Sequence, residues 1–274
     1  MGDTTFNRHP RKALTAKFVE NIVKLRYFVF FLICLLGFSA QAAGKNVDIK
    51  IVGDKRCIFS NGQPNHKIGQ FPNKGNPNRF RQQEIQICVD ANPTLTGRID
   101  RRANGSGITI TGIIIRPGTA DWYDTSSPRG FSRDRSSGWN LEGMGPANTL
   151  GLDSENAHVD NRGLYHYHGV SPSLASSLDE TLIGYAADGH EIHFIGDKAI
   201  SSWQLRAGKR STKPFGKHDG TYNEDYEYIA GSGNLDECNG AKSNGKYIYF
   251  ATNKYPFFPR CFLGSVSRDF KGRP

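Results

Sequence analysis

Residues 163–169 read Gly163-Leu164-Tyr165-His166-Tyr167-His168-Gly169. Four aromatic rings in a row between glycines predict a short β-strand between two turns. Side chains alternate along a strand, so Tyr165 and Tyr167 share one face and His166 and His168 the other. Positions i and i+2 lie about 6.6 Å apart, close enough for two imidazoles to lean onto one ion through bonds of about 2 Å. His158 stands shortly before, and the Asp160-Asn161-Arg162-Gly163 run between them is turn chemistry that folds it back beside the pair. Three neutral imidazoles with an open position are the ligand set of a catalytic zinc site, and imidazole also suits copper. The plainer alternative is a polar strand whose histidines only form hydrogen bonds.

Outward from this stretch, composition points the same way on fold. The chain has 274 residues with 31 Gly and 13 Pro, and long helical periodicity is scarce. The expected class is mainly β: antiparallel sandwich or barrel-like sheets with long loops and few short helices. The formal charge is +9, of which the first 42 residues carry +4. The remaining excess is mild and spread along the chain. Basic groups such as Arg98/Arg101/Arg102 and Arg206/Lys209/Arg210/Lys213 read as solvated surface, and no nucleic-acid partner is expected.

Lys24 and Arg26 precede an apolar run over residues 27–38, followed by Ala40-Gln41-Ala42. This is the pattern of a secretory signal peptide with an Ala-x-Ala site. Residues 1–42 are therefore read as a signal segment with an over-long N-terminal extension, and residues 43–274 as a single β-rich domain that is secreted or periplasmic. The apolar run is shorter than the roughly 20 residues of a transmembrane helix, and none is expected in the mature chain. Without Cys34, four cysteines remain: Cys57, Cys88, Cys238 and Cys261. An even number in an exported chain points to two disulfides. Three pairings are open; nearness in sequence favours Cys57–Cys88 and Cys238–Cys261. No Cys-x-x-Cys spacing supports a metal alternative.

Strands are expected at residues 47–52, 57–59 and 84–89, and one buried strand over residues 107–115. A long Gly/Asn/Pro loop over residues 60–78 carries His66, which on spacing alone reads as a loop histidine. Residues 171–181 suit one or two helical turns. Residues 182–195 form a hairpin about Asp188-Gly189, a favoured type I′ pair; His190 and His193 fall on opposite faces there and read as packing or surface residues. Asp153 and Glu142 are the acids expected to orient an imidazole. The carboxylates of residues 224–237 lack EF-hand spacing. One echo stands out: Gly245-Lys246-Tyr247-Ile248-Tyr249-Phe250 repeats the Gly-x-Tyr-x-Tyr pattern with Ile248 and Phe250 at the histidine positions.

Beyond Tyr165-His166-Tyr167-His168, several separated blocks resemble the YHYH protein family in order. They are residues 59–78, 107–120, 151–169, 187–189, 219–221, 235–240 and 255–264. The family tends to carry an aromatic or apolar residue after Asp-Gly, where this chain has His190. The resemblance implies an exported domain of unknown function, and it groups His66, His158, His166 and His168 as one constellation holding zinc or copper. Two function classes remain in view. One is a metal site able to activate water, acting on an unknown small molecule or extracellular polymer. The other is a non-catalytic module that binds carbohydrate or peptide on Trp122, Tyr123, Trp139 and Trp203.

Overall fold

The computed structural model describes residues 1–2, 46–147 and 149–272. The expected signal segment, including Ala40-Gln41-Ala42, falls almost wholly outside the described residues. No helix among the described residues is long and apolar enough to cross a membrane.

The chain first forms a three-stranded antiparallel sheet from β1 (Val47–Val52), β2 (Lys55–Ser60) and β3 (Ile85–Asp90). Cys57 and Cys88 face each other in its register and are joined as a disulfide. A second disulfide, Cys238–Cys261, ties two later loops. Each closes a loop of a size worth about 3 kcal/mol in the chain-entropy account.

The main sheet has eight strands: β4 (Gly107–Thr109), β5 (Ile114–Ile115), β8 (Ala157–Val159), β9 (Tyr165–Tyr167), β10 (Leu182–Ala186), β11 (Glu191–Phe194), β14 (Gly240–Ser243) and β15 (Lys246–Ala251). Two small pairs, β6 (Trp122–Tyr123) with β7 (Phe131–Ser132) and β12 (Trp203–Leu205) with β13 (Tyr226–Tyr228), sit in the connections. One short helix, α1 (Pro172–Ser176), is capped by the Ser171 side chain. The mainly β class holds.

The spatial order of the large sheet is β14-β15-β11-β10-β4-β5-β9-β8. Read outward from the middle, it is one four-strand unit used twice. Hairpin β4–β5 meets hairpin β8–β9 through a parallel β5/β9 pair; hairpin β10–β11 meets hairpin β14–β15 through a parallel β11/β15 pair. The register agrees: Ile115 pairs with Tyr167 in one half and Ile192 with Tyr249 in the other. The central strands β4 and β10 run antiparallel with Ile108 opposite Tyr185, so a pseudo-twofold axis passes through that pair. The sheet is thus mixed, where an antiparallel one is expected from sequence, because each half joins its two hairpins side by side in the same direction.

Both inner hairpins turn the same way. Gly112 N–H donates to Thr109 O and Gly189 N–H to Ala186 O, with φ of +82° and +92°. Each is a three-residue loop, a type I turn closed by a left-handed glycine. This corrects two expectations. Residues 107–115 are two strands and not one. The Asp188-Gly189 turn is not type I′, which needs positive φ at both residues; of the two, only Gly189 has it.

The core gathers on one face of this sheet, around Tyr165, Tyr167, Tyr249, Ile115, Ile192 and Phe262. On either side of the axis, at Gly107 and Gly184, no side chain fits. A Cβ on Gly107 would lie 2.9 Å from Ala186 Cα, and one on Gly184 2.9 Å from Thr109 Cα. Gly184→Ala is expected to cost about 1–3 kcal/mol by overpacking. Gly118→Ala, whose Cβ meets nothing within 4 Å, is expected to cost none of this; urea unfolding of the two variants checks it.

Candidate metal centre

Strand alternation sorts the motif as its sequence predicts. Tyr165 and Tyr167 are fully buried in the core, and His166 and His168 point to the opposite side. The turn over residues 160–163 brings β8 back antiparallel, with His158 directly opposite His166. Cross-strand partners share a face, so the three rings meet. Their centroids lie 4.7 Å (His158–His166), 4.7 Å (His158–His168) and 5.0 Å (His166–His168) apart. Their ligand atoms all fall within 4.8 Å of one another.

Each ring is oriented by a backbone carbonyl. His158 Nδ1 lies 3.0 Å from Leu150 O, His166 Nδ1 3.2 Å from Leu164 O and His168 Nδ1 3.1 Å from Pro117 O. A carbonyl oxygen only accepts, so each Nδ1 carries the hydrogen. Burial lowers the basicity of all three rings, most strongly for His166 and His168, and neighbouring positive groups add to it. Neutral rings protonated at Nδ1 present bare Nε2 lone pairs. The Nε2 atoms of His166 and His168 stand 3.2 Å apart.

Arg116 directly follows β5 and flanks this group. Its Nη2 is 3.2 Å from both nitrogens of His166, which places it over the ring face and off the Nε2 lone pair. The same nitrogen donates to Asp160 Oδ2 at 2.9 Å. Burial alone would raise the Asp160 carboxyl. Arg116 and the N–H groups of Arg162 and Leu164 outweigh it and hold that carboxyl below the usual range, so it stays charged. Gly143 packs beside His168; a Cβ there would lie 3.1 Å from its Cε1. Arg116, Asp160 and Gly143 are absent from the sequence-based site. Arg116 reaches it only through the parallel β5/β9 pairing, which no local pattern announces.

Three expected members lie elsewhere. His66 sits on the tyrosine face, with Nε2 2.6 Å from Tyr167 Oη. A loop residue is bound by no alternation rule, and this one lies across the strand from the other three histidines. Asp153 orients no imidazole: it accepts from Tyr165 Oη and from the N–H groups of Gly69, Glu155 and Ala157. Glu142 is buried and ion-paired at 2.7 Å with Arg260. Burial raises its carboxyl and Arg260 opposes the shift. His190 is buried beside Asp188, and His193 bonds Glu191 and Thr181, as read from the hairpin faces.

The long loop over residues 60–78 lies along edge strand β8. Asn76 and Asn78 both donate side-chain amide hydrogens to Val159 O, and Asn73 donates to Gly151 O. An otherwise open edge is thereby covered. The expected aromatic surface is not assembled as one: Trp122, Tyr123 and Trp139 neighbour one another, whereas Trp203 packs on Tyr228 and Tyr255 and donates to Glu237 O.

The second half of the sheet supplies an internal comparison. There Asp236 accepts from Tyr247 Oη and from the N–H groups of Cys238 and Gly240, as Asp153 does around Tyr165. Asn239 and Asn156 both take positive φ, +64° and +56°. The positions of His158, His166 and His168 are filled by Ala241, Ile248 and Phe250, members of an apolar cluster with Leu235. A strand of this frame therefore forms with no imidazole on it.

Residues 86–264 match the YHYH protein family. The chain belongs to that family. No curated protein and no solved structure matches it. The YHYH motif supplies both the tyrosines that enter the core and two of the three converging histidines, while His66 lies before the matched residues.

Asp153 holds the motif's first tyrosine, its own turn and the covering loop together. Asp153→Ala is expected to lower stability by about 3 kcal/mol, because it strands the buried Tyr165 hydroxyl and backbone donors. Chemical denaturation measures it.

Proposed function

We propose that His158, His166 and His168 hold one transition-metal ion, zinc or copper, in an open three-histidine centre of an exported protein, and that the reaction it serves is hydrolytic. The observation that carries this reading is the facing Nε2 pair. Two rings whose Nδ1 hydrogens are committed to carbonyls have no hydrogen to place between nitrogens 3.2 Å apart. Two bare lone pairs repel there unless a cation lies between them. The separation also suits a tetrahedral ion, whose bonds of about 2.0–2.1 Å give a nitrogen–nitrogen edge of roughly 3.3–3.4 Å. Ring N–H groups fixed by carbonyls are the usual support of metal-binding histidines.

Among the described residues three protein ligands converge, and His158 is the least buried of them. The three rings line a cleft of about 1230 Å³. A structural zinc site is closed by four ligands, whereas a catalytic one keeps a position open. When bound, the ion would supply Lewis acidity to a water or substrate oxygen at that position. The chain's own groups then have simple tasks. The carbonyls of Leu150, Leu164 and Pro117 hold the rings, and Asp160 holds Arg116 against the cleft wall, where its charge favours an anionic oxygen. Two disulfides fit an oxidising compartment, in keeping with the signal segment expected at residues 1–42.

Protein purified from periplasm or medium is expected to carry close to one ion per chain by elemental analysis. His166→Ala/His168→Ala is expected to lose it. Should that double variant fail to fold, His158→Ala at the rim is expected to bind at least tenfold more weakly. Chelator is expected to lower the melting temperature of the wild type, since an ion at about 100 times its Kd adds roughly 2.7 kcal/mol. Metal-free protein whose melting is indifferent to both chelator and added zinc or copper would refute the reading.

A further inference from the structure

The cleft over the three histidines is cationic. Seven arginines line it against two aspartates. Four have acidic partners: Arg101 with Glu237, Arg116 with Asp160, Arg129 with Asp121 and Arg260 with Glu142. The other three, Arg133, Arg135 and Arg162, form no ion pair among the described residues and are exposed. Arg133 and Arg135 follow β7, and Arg162 sits in the β8–β9 turn four residues before His166. These are separate points of the chain that meet on one cleft. A guanidinium presents a fork that matches the paired oxygens of sulfate or carboxylate, and a concave cationic wall concentrates anions.

The rest of the lining narrows the ligand. Amide and hydroxyl side chains, among them Asn104, Asn161 and Thr119, offer hydrogen bonds of the kind that sugar hydroxyls take. Apart from the three imidazoles, Phe262 is the aromatic ring among the described lining residues, and it is buried. Single-stranded nucleic acid is gripped by stacking bases on aromatic rings, and this cleft has no such platform. Its volume of about 1230 Å³ exceeds the roughly 300–1,000 Å³ of a site for one small molecule.

We infer that the cleft binds an acidic oligosaccharide, with anionic groups on Arg133, Arg135 and Arg162 and a sugar linkage over the three histidines. The inference rests on the metal-centre reading for the reaction but not for the binding, and the two can fail separately.

Calorimetry on the full chain tests it with four probes: a heparin-derived oligosaccharide, an oligogalacturonate, a neutral dextran oligosaccharide and oligothymidylate. At least one acidic sugar is expected to bind tenfold or more tighter than dextran and than oligothymidylate, and the first two probes separate sulfate from carboxylate. Arg133→Ala/Arg135→Ala/Arg162→Ala is expected to weaken that binding at least tenfold while leaving melting temperature and metal content unchanged. No acidic-sugar binding, tighter oligothymidylate binding, or unchanged affinity in the triple variant overturns the inference. So does inorganic sulfate that matches the sugar's affinity. Sugar binding by protein that takes up neither zinc nor copper leaves this inference standing and removes only the metal centre.

Discussion

The two-residue period of β9 is the constraint on which the site depends. Its tyrosines carry large apolar rings, which drives them into the core, and each hydroxyl then needs a partner at depth. Asp153 meets one and His66 the other. These bonds fix the register. A slip of one residue would send both imidazoles into the apolar core and both tyrosines toward the cleft, and every one of these hydrogen bonds would be lost. The histidines gather on the cleft side because the tyrosines are held on the core side.

The second half of the sheet separates what the frame needs from what the site needs. Its Asp236, Asn239, Tyr247 and Tyr249 reproduce the turn and the tyrosine pair, Tyr249 buried and Tyr247 half-buried. In place of the imidazoles stand Ala241, Ile248 and Phe250, closed over by Leu235 and Ala199. That cluster is the ordinary use of the position: apolar side chains covering the outer face of a hairpin. Three imidazoles there cost desolvation that the alanine, isoleucine and phenylalanine do not. The first half also uses a glycine, Gly143, where any side chain would press on the His168 ring. The glycine makes room for the imidazole, and the frame does not itself require the imidazoles, since the second half forms without them.

Local rules made much of this legible in the sequence. Period-two alternation separated tyrosines from histidines, turn chemistry over residues 160–163 returned His158 to the pair, and short spacing selected the disulfides that are found. The failures are of another kind. Arg116 comes to His166 across a parallel pairing of segments 50 residues apart, and pairing of that sort leaves no periodic trace. Thr109 to Gly112 looked like strand because Ile and Thr run through it, yet the left-handed glycine makes it a turn. His66 was grouped with the other histidines by the family resemblance, while the strand between them decides its side. The duplication was visible only as Gly-x-Tyr-x-Tyr. Its fuller signature, Leu-Asp-x-x-Asn ahead of each hairpin at residues 152–156 and 235–239, gains meaning once both aspartates are seen to hold a tyrosine.

Charge balance ties the centre to its cleft. A divalent ion at the proposed centre would keep its full charge on three neutral imidazoles, since none of these ligands is a carboxylate. The nearest carboxylate beside the rings, Asp160, is already committed to Arg116 and to two backbone N–H groups. Arg116 itself lies over a ligand ring, and three further guanidinium groups stand on the cleft walls without acids. Positive charge so placed opposes a bound cation to the extent that solvent does not screen it. The same charges favour an anion in the cleft, because an arginine that repels a cation attracts an anionic ligand. An ion at the proposed centre and an acidic ligand in the cleft would therefore bind with mutual assistance, each relieving the field that opposes the other.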